Sequence, residues 1–277
     1  MSKQTQQITL KRLKEIMASH AKWLDNKYGG TRARFEDVTF QGTFKDFDFS
    51  QVSFENVTAK YASFENCKFN NANFENCSFE QADFDNCEFV DCEVDTGVSF
   101  NSAGFDKCNF DEAHLFGADF SEACFFNCTF VKANLNNADF RNAEFNDCNL
   151  TNISYDELTA GIALACPEKG AFTAFKKAHL YSGDRCIVEL LVPADAKRSS
   201  ATSRKCRVSK AKVVAVYKFD DGVYTPVKVN AYSNHTNSFV YKLGSTVSVK
   251  NFDKNRWNEC STGIHCFITM REAELYC

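Results

Sequence analysis

Phenylalanine recurs at every fifth position through the middle of this chain, and that period constrains the fold more than any other feature. One phase runs Phe44, Phe49, Phe54, Ala59, Phe64, Phe69, Phe74, Phe79, Phe84, Phe89, Val94. A second runs Phe100, Phe105, Phe110, Leu115, Phe120, Phe125, Phe130, Leu135, Phe140, Phe145, Leu150, Tyr155, offset by one residue inserted in DTGVSF (95–100). Of the 28 Phe, 22 lie between residues 31 and 158, so the aromatic content belongs to the repeat. Two residues before each marker stands a small residue, usually Ala or Cys, and the remaining positions are mostly Asn, Asp, Glu, Ser or Lys. Helices repeat at 3.6 residues and strands at 2.0. A period of five therefore requires a coiled backbone that turns once per five residues.

Copies such as ANFEN, ADFDN, ADFSE, ANLNN and ADFRN follow the pattern A(D/N)LXX or A(D/N)FXX, and through them residues 35–158 resemble the pentapeptide-repeat proteins. More than twenty tandem copies make the resemblance specific. It implies a mainly β fold, a right-handed quadrilateral β-helix in which four pentapeptides form one square coil. The central residue and the residue two before it would point inward, so residues twenty apart should stack. Sorted in this way, Ala62, Ala82, Ala103, Ala123 and Ala143 share a column whose face has Phe64, Phe84, Phe105, Phe125 and Phe145 as central residues. Cys67, Cys87, Cys108, Cys128 and Cys148 share the neighbouring column, and Cys77 falls on the opposite side. The one step of 21 in each column is the inserted residue near Gly97.

The ends of such a rod need caps, because they would otherwise expose sheet edges and apolar residues. In ITLKRLKEIMASHAKWLDNKYGGTRARF, residues Leu10, Leu13, Ile16, Met17, Trp23 and Leu24 have near-helical spacing, with Gly29-Gly30 as a stop. The stretch resembles the helix that precedes many pentapeptide repeats, including the HxxWL of His20 and Leu24. The expected domains are an N-terminal helical cap (1–30), the β-helix (31–158) and a C-terminal β-rich α+β domain (159–277).

The 14 Cys form no CxxC pair, and in a chain of 277 residues reduced thiols are expected. A zinc site needs ligands converging at about 2.3 Å, whereas a column spaces its sulfurs at about 4.8 Å. The columns read as buried small residues, and no metal or cofactor is expected. Cys124, directly before Phe125, is outward and is the expected reactive thiol of the repeat.

After residue 158 the period stops. CIVELLV, AKVVAVYKF, SFVYKL and STVSV read as strands, Asp221-Gly222 as a hairpin turn and REAELY as a short helix. The region resembles a domain of unknown function found behind pentapeptide repeats, including in phage proteins. Its segment KRSSATSRKCRVSKAK (197–212) contains no acid. Lys197, Arg198, Arg204, Lys205 and Arg207 are candidates to hold a phosphate-bearing ligand, since Arg forks and hydroxyls suit phosphate oxygens. The competing reading is a solvated basic loop, or one that pairs with the acidic rod. GIHCFITMREAELYC is similar to a segment of ADP-ribosyltransferases, with His265 where that family has Tyr and without the family's catalytic Glu downstream. Cys260, His265 and Cys266 lack a clear fourth metal ligand and read as structural.

Residues 31–158 hold 24 Asp and Glu against eight Lys and Arg, a net of −16, while the rest of the chain is +12. About six coils at ~4.8 Å give a rod roughly 28 Å long. B-DNA carries one charge per ~1.7 Å, or about 16 over that length. Some pentapeptide-repeat proteins are DNA-like rods that occupy the DNA site of a type II topoisomerase. The resemblance therefore implies a non-enzymatic binding protein that engages a protein partner as a DNA mimic, without itself binding double-stranded DNA. This chain departs from those relatives in placing a large basic domain where a short dimerising helix would lie. The alternatives are a passive scaffold presenting a phosphate- or nucleotide-binding C-terminal domain, and an ADP-ribosyltransferase-like domain. Asp83, Asp119, Asp139 and Glu144 are the candidate partner-binding acids. No apolar run of about 18 residues is present to span a bilayer, and the N-terminal stretch has no signal-peptide h-region, so a cytoplasmic protein is expected.

Overall fold

The computed structural model describes residues 6–220, 223–235 and 238–276; the expected turn at Asp221-Gly222 lies outside the described residues. The chain divides into two units, Met1–Ala163 and Leu164–Cys277.

The first unit is a β-solenoid. On its first face the strands Thr43–Lys45, Ser63–Glu65, Asp83–Asp85, Gly104–Asp106, Cys124–Phe126 and Glu144–Asn146 form a six-stranded parallel sheet. Two sides further round the coil, on the third face, Arg34–Glu36, Ser53–Glu55, Asn73–Glu75 and Glu93–Val94 form a four-stranded one. The second and fourth faces are laddered by single bridges, such as Asn109 to Thr129 and Asp119 to Asp139. Inside, the Phe rings stack rung on rung. Phe105 lies 4.9 Å from Phe84 and 4.8 Å from Phe125, with planes 5° and 7° apart, and meets Phe110 edge-on at 5.3 Å. Each buried Phe contributes about 1.5–3 kcal/mol by area, and aromatic pairing adds about 0.5–1.5 kcal/mol. The step of 21 is present where Asp83 faces Gly104. A second irregularity was not expected: Phe35 faces Phe54, a step of 19. Around Gly42, at φ +101°, the corner from Phe40 to Phe44 is one residue short.

The corners explain the polar letters of the repeat. The residue two after each central position is left-handed, as in Asn56 (φ 53°), Asn66 (51°), Asn76 (50°) and Asn86 (52°). Asn and Asp enter that region with the least penalty among residues that have a Cβ. Their amides also form ladders, Asn86 Nδ2 donating to Asn66 Oδ1 (3.0 Å) and Asn66 Nδ2 to Asp46 Oδ1 (3.0 Å). The Asp or Asn before the central residue serves the turn as well. Asp48, Asn109, Asp119, Asn134, Asp139 and Asn149 each accept the N–H two residues on, at 2.8–3.1 Å. Glu122 occupies a left-handed corner (φ 61°) with a longer side chain, whose Oε2 accepts from Ser102 Oγ (3.3 Å) on the preceding coil, a bond that an Asn carbonyl can also accept. Glu122→Asn is expected to raise stability by about 1 kcal/mol, read as a higher urea midpoint; a lower midpoint would contradict this account.

Helix α1 (Leu10–Leu24) starts at Thr9, whose Oγ1 accepts from Arg12 N at 3.2 Å, and buries Leu13, Met17 and His20. Leu10, an expected core residue, is 49% exposed. The helix ends at Leu24, before the Gly29-Gly30 stop. Gly30 instead passes so close to the helix end that a Cβ would lie 2.3 Å from Trp23 N. His20 ties α1 to the first coil: Nδ1 accepts from Ala33 N (3.2 Å), which leaves Nε2 to donate to Ser50 O (2.8 Å). Gln6–Gln7 adds a parallel pairing to Val38–Thr39.

The second unit contains β1 (Phe172–His179), β2 (Arg185–Val192), β3 (Arg198–Ser200), β4 (Cys206–Val208), β5 (Lys210–Asp220), β6 (Val223–Val227), β7 (Ala231–Tyr232), β8 (Val240–Tyr241), β9 (Thr246–Ser248), β10 (Ile264–Cys266) and α2 (Met270–Leu275). A seven-stranded antiparallel sheet runs β6-β5-β2-β1-β7-β8, with β9 also pairing β5; β3, β4 and β10 form a second sheet. Its core includes Ala174, Ala178, Val188, Leu190, Val213, Val216, Ile264 and Cys266. A capping box starts α2, with Thr269 Oγ1 accepting from Glu272 N and Glu272 Oε2 from Thr269 N. The basic segment 197–212 is not a loop: it supplies β3, β4 and the start of β5.

Candidate functional site

The strand register converts scattered acids into columns. On the third face Glu36 lies opposite Glu55 and Glu55 opposite Glu75, with Asp95 on the following rung. On the first face Glu65 lies opposite Asp85 and Asp85 opposite Asp106. Each column ends at an exposed aromatic, Phe116 (47%) on the third face and Phe126 (45%) on the first. Cations offset part of this charge. Arg34 pairs with Glu55, Lys45 with Glu65 (3.2 Å) and Lys107 with Asp106 (2.7 Å), the last holding the Asp106 carboxyl below its ordinary range. Glu75 and Asp85, in the middle of the two columns, have no cation within ion-pair distance among the described residues, although Lys45 and Lys107 act on Asp85 from farther off. Like charges on adjacent rungs repel.

The four acids expected from sequence are divided by this geometry. Asp83 and Glu144 are exposed on the first face, in one column with Gly104 and Cys124 between them. Asp119 and Asp139 are neighbours on the fourth face, and both serve their own turns. Asp119 accepts from Ser121 N (2.9 Å) and Oγ (2.6 Å). Burial pushes the Asp139 carboxyl up, but hydrogen bonds from Arg141 outweigh this and hold it low. The column acids are not among those four, although a step of twenty taken at the position after each central residue displays them in the sequence.

The five basic candidates do not converge on a phosphate cradle. The Arg198 guanidinium donates to the carbonyls of Pro167, Gly170, Pro193 and Ala194, and lies 5.1 Å over the Phe172 ring. Arg207, 2% exposed, donates to the carbonyls of Asp253 (3.0 Å), Thr262 (3.0 Å) and Asn255 (2.7 Å). Lys205 is buried and reaches Tyr276 Oη (3.1 Å) and Glu259 (3.8 Å). Arg204 pairs with Glu272 at 2.8 Å, while Lys197 is exposed. Two forks are thus filled by backbone carbonyls, and the remaining charges point elsewhere.

The thiols and His265 are dispersed in the same way. Cys67, Cys87 and Cys108 each place Sγ 3.4 Å from a carbonyl of the neighbouring coil, at Phe44, Phe64 and Phe84. Burial pushes the Cys77 thiol up to about 11. Cys124 is outward and half-buried, and burial together with Glu144 pushes its thiol up, so it is not activated. Cys266 is in the core, whereas His265 and Cys260 line a cavity. Burial pushes His265 down to about 4, so it is neutral at pH 7, and its Nε2 donates to Ser261 O (2.9 Å). Among the described residues no helix is long and apolar enough to cross a membrane.

Family models for a pentapeptide repeat region match residues 30–97, and those for pentapeptide repeats match residues 96–130 and 125–154. A family of unknown function (DUF5758) matches residues 162–273, and none of the three descriptions names a catalytic activity. Among solved structures, the pentapeptide repeat protein Rfr23 from the cyanobacterium Cyanothece 51142 is 15% identical over 46% of this chain and 84% of its own, at a TM-score of 0.25. A pentapeptide repeat protein of the Arabidopsis thaliana thylakoid lumen is 24% identical over 42% and 67%, at 0.25. QnrB1, a plasmid-mediated fluoroquinolone resistance protein, is 19% identical over 45% and 82%, at 0.23. At these scores the structures carry no argument about this chain. No curated protein matches it.

Proposed function

The chain is a pentapeptide-repeat protein with a domain of unknown function behind the repeat, and from that premise we propose that its rod is a non-enzymatic binding surface that engages a protein partner by presenting charge as DNA does. The observation that supports this reading is the pair of acidic columns, Glu36-Glu55-Glu75-Asp95 and Glu65-Asp85-Asp106, on opposite faces of the solenoid. Carboxylates stacked rung on rung destabilise a sheet. A partner with a basic groove would relieve that repulsion, and electrostatic complementarity of this kind speeds association and sets specificity. The exposed Phe116 and Phe126 at the ends of the columns add apolar anchors of the type that dominate interfaces. The partner of this chemistry is a DNA-binding enzyme, with a type II topoisomerase as the first to test.

The test is competition between the full-length protein and duplex DNA for a type II topoisomerase, followed in a supercoiling assay over a salt series. The wild type should displace DNA, and less so at high salt. The double reversal Glu75→Lys with Asp85→Lys should weaken displacement by about 30-fold or more. A passive scaffold would show no displacement, or displacement that the reversal leaves unchanged, and either result removes the mimicry reading.

A further inference from the structure

The C-terminal unit contains a partly open cavity of about 690 Å³, the one that His265 and Cys260 line. Its walls come from Lys176 on β1, Tyr241 on β8, Ile264 and His265 on β10, and the flanking Phe239 and Tyr276. β1 is brought against the end of β10 by a two-way backbone bridge, with Phe175 and Phe267 each donating to the other at 2.8 Å. The inward positions of β1 are Ala174, Lys176 and Ala178, exposed by 0%, 5% and 1%. An ammonium therefore stands where the strand otherwise has alanine.

Every other buried cation of the unit has a protein partner: Arg207 has three carbonyls, and Lys205 has Tyr276 and Glu259. Among the described residues Lys176 has neither a hydrogen bond nor an ion pair, and no carboxylate lines the cavity. Burial pushes the Lys176 amine down; of its neighbours the Cys266 thiol acts against this, while Lys205 and Lys177, of the same sign as Lys176, add to it. The ammonium is not sealed in the core but opens onto the cavity with no counter-charge beside it, where burial of the rest of the side chain weakens its hydration. A ligand anion would supply the missing partner. The rest of the lining suits the body of such a ligand. Phe239 and Tyr241 meet edge-on at 5.2 Å and Tyr276 adds a further ring, while Ser233, Ser261 and Thr262 offer hydroxyls. His265, neutral and committed to Ser261 O, contributes no opposing charge.

We propose that this cavity binds a small organic anion, a planar ring bearing one phosphate or carboxylate, with Lys176 as its counter-ion. The site lies wholly in the C-terminal unit and stands independently of the rod's function. Lys205 of the basic segment 197–212 borders the site through Tyr276 Oη (3.1 Å) and Cys260 Sγ (3.4 Å), whereas Arg198 and Arg204 are engaged elsewhere.

Calorimetric titration of the full chain with AMP, adenosine, phenyl phosphate, benzoate and inorganic phosphate tests the proposal. AMP or benzoate should bind, adenosine should bind more weakly than AMP, and Lys176→Met should weaken the anion by about 30-fold or more. The same variant should melt no lower than wild type, because it removes an unpaired buried amine; if it fails to fold, Lys176→Gln is read in its place. Phenyl phosphate against benzoate, which carry the same ring, identifies phosphate or carboxylate as the preferred group. Failure of all the anions to bind below about 10 mM, or binding that survives both substitutions, overturns the proposal.

Discussion

With Phe105 replaced by alanine, the rod loses about 3–5 kcal/mol of stability, the range for a fully buried aromatic cut back to a methyl group. Phe105 is 1% exposed and sits between the stacked rings of Phe84 and Phe125, with Phe110 edge-on. The rungs above and below are fixed by parallel backbone pairing of Phe84 with Phe105 and Phe105 with Phe125, so neither ring can collapse into the space. In a linear array each coil is stabilised by its two neighbours. A void in a middle coil weakens both interfaces at once. The control is Phe126→Ala on the following rung, an exposed ring whose loss should change stability by no more than about 0.5 kcal/mol. The rod contains one tryptophan, Trp23, and the other, Trp257, belongs to the C-terminal unit. In a Trp257→Phe background, urea titration followed by fluorescence reads the rod alone. Equal shifts for the two Phe substitutions would mean that the stacked interior does not hold the solenoid together.

What could be read from sequence, and what could not, follows the range of the interactions. The five-residue period, the Ala and Cys columns and the step near Gly97 are statements about one side chain per turn, and a periodic sequence displays them directly. The short corner at Gly42 is not legible in this way because it falls in the first coil, where only Phe35 and Phe40 precede the regular phase. Asp119 and Asp139 read as surface charge in the sequence, and the structure adds a second role, since each carboxylate accepts the N–H two residues on and so closes a turn, which is local geometry. The acidic columns were hidden because the acids alternate with Asn and Ser along the chain, and only the register sorts them by face. In the C-terminal unit no period exists to exploit. The fate of Arg198, Arg207 and Lys176 depends on carbonyls and walls supplied by distant residues, 55 positions away for Arg207 and Thr262 and farther still for Lys176 and Tyr276.

Arg207 provides the second large effect, and it separates a structural cation from a ligand-binding one. Its guanidinium joins the carbonyls of Asp253, Asn255 and Thr262, and so fastens β4 to the segment that leads into β10. The ring of Phe252 lies 5.2 Å away, and Gly263 packs so closely that a Cβ there would come within 3.1 Å of the Arg207 chain. Arg207→Ala leaves the carbonyls of Asp253 and Asn255 without their donor, Thr262 O with only the Asp253 N–H (3.2 Å), and a void where a long side chain was. Losing one member of a buried charged network costs about 3–5 kcal/mol, enough to unfold a marginal domain at 37 °C. Arg207→Lys should recover little, because one ammonium cannot reproduce a planar fork that spans carbonyls in several directions. Trp257, in a Trp23→Phe background, reports the unfolding of this unit. If Arg207 instead served an external phosphate, the alanine variant would keep its melting temperature and lose only ligand affinity, since removing a solvent-facing cation disturbs no packed structure. An unchanged melt would therefore return Arg207 to the anion-binding candidates, whereas a large drop rescued by neither lysine nor added phosphate fixes it as part of the framework around the cavity.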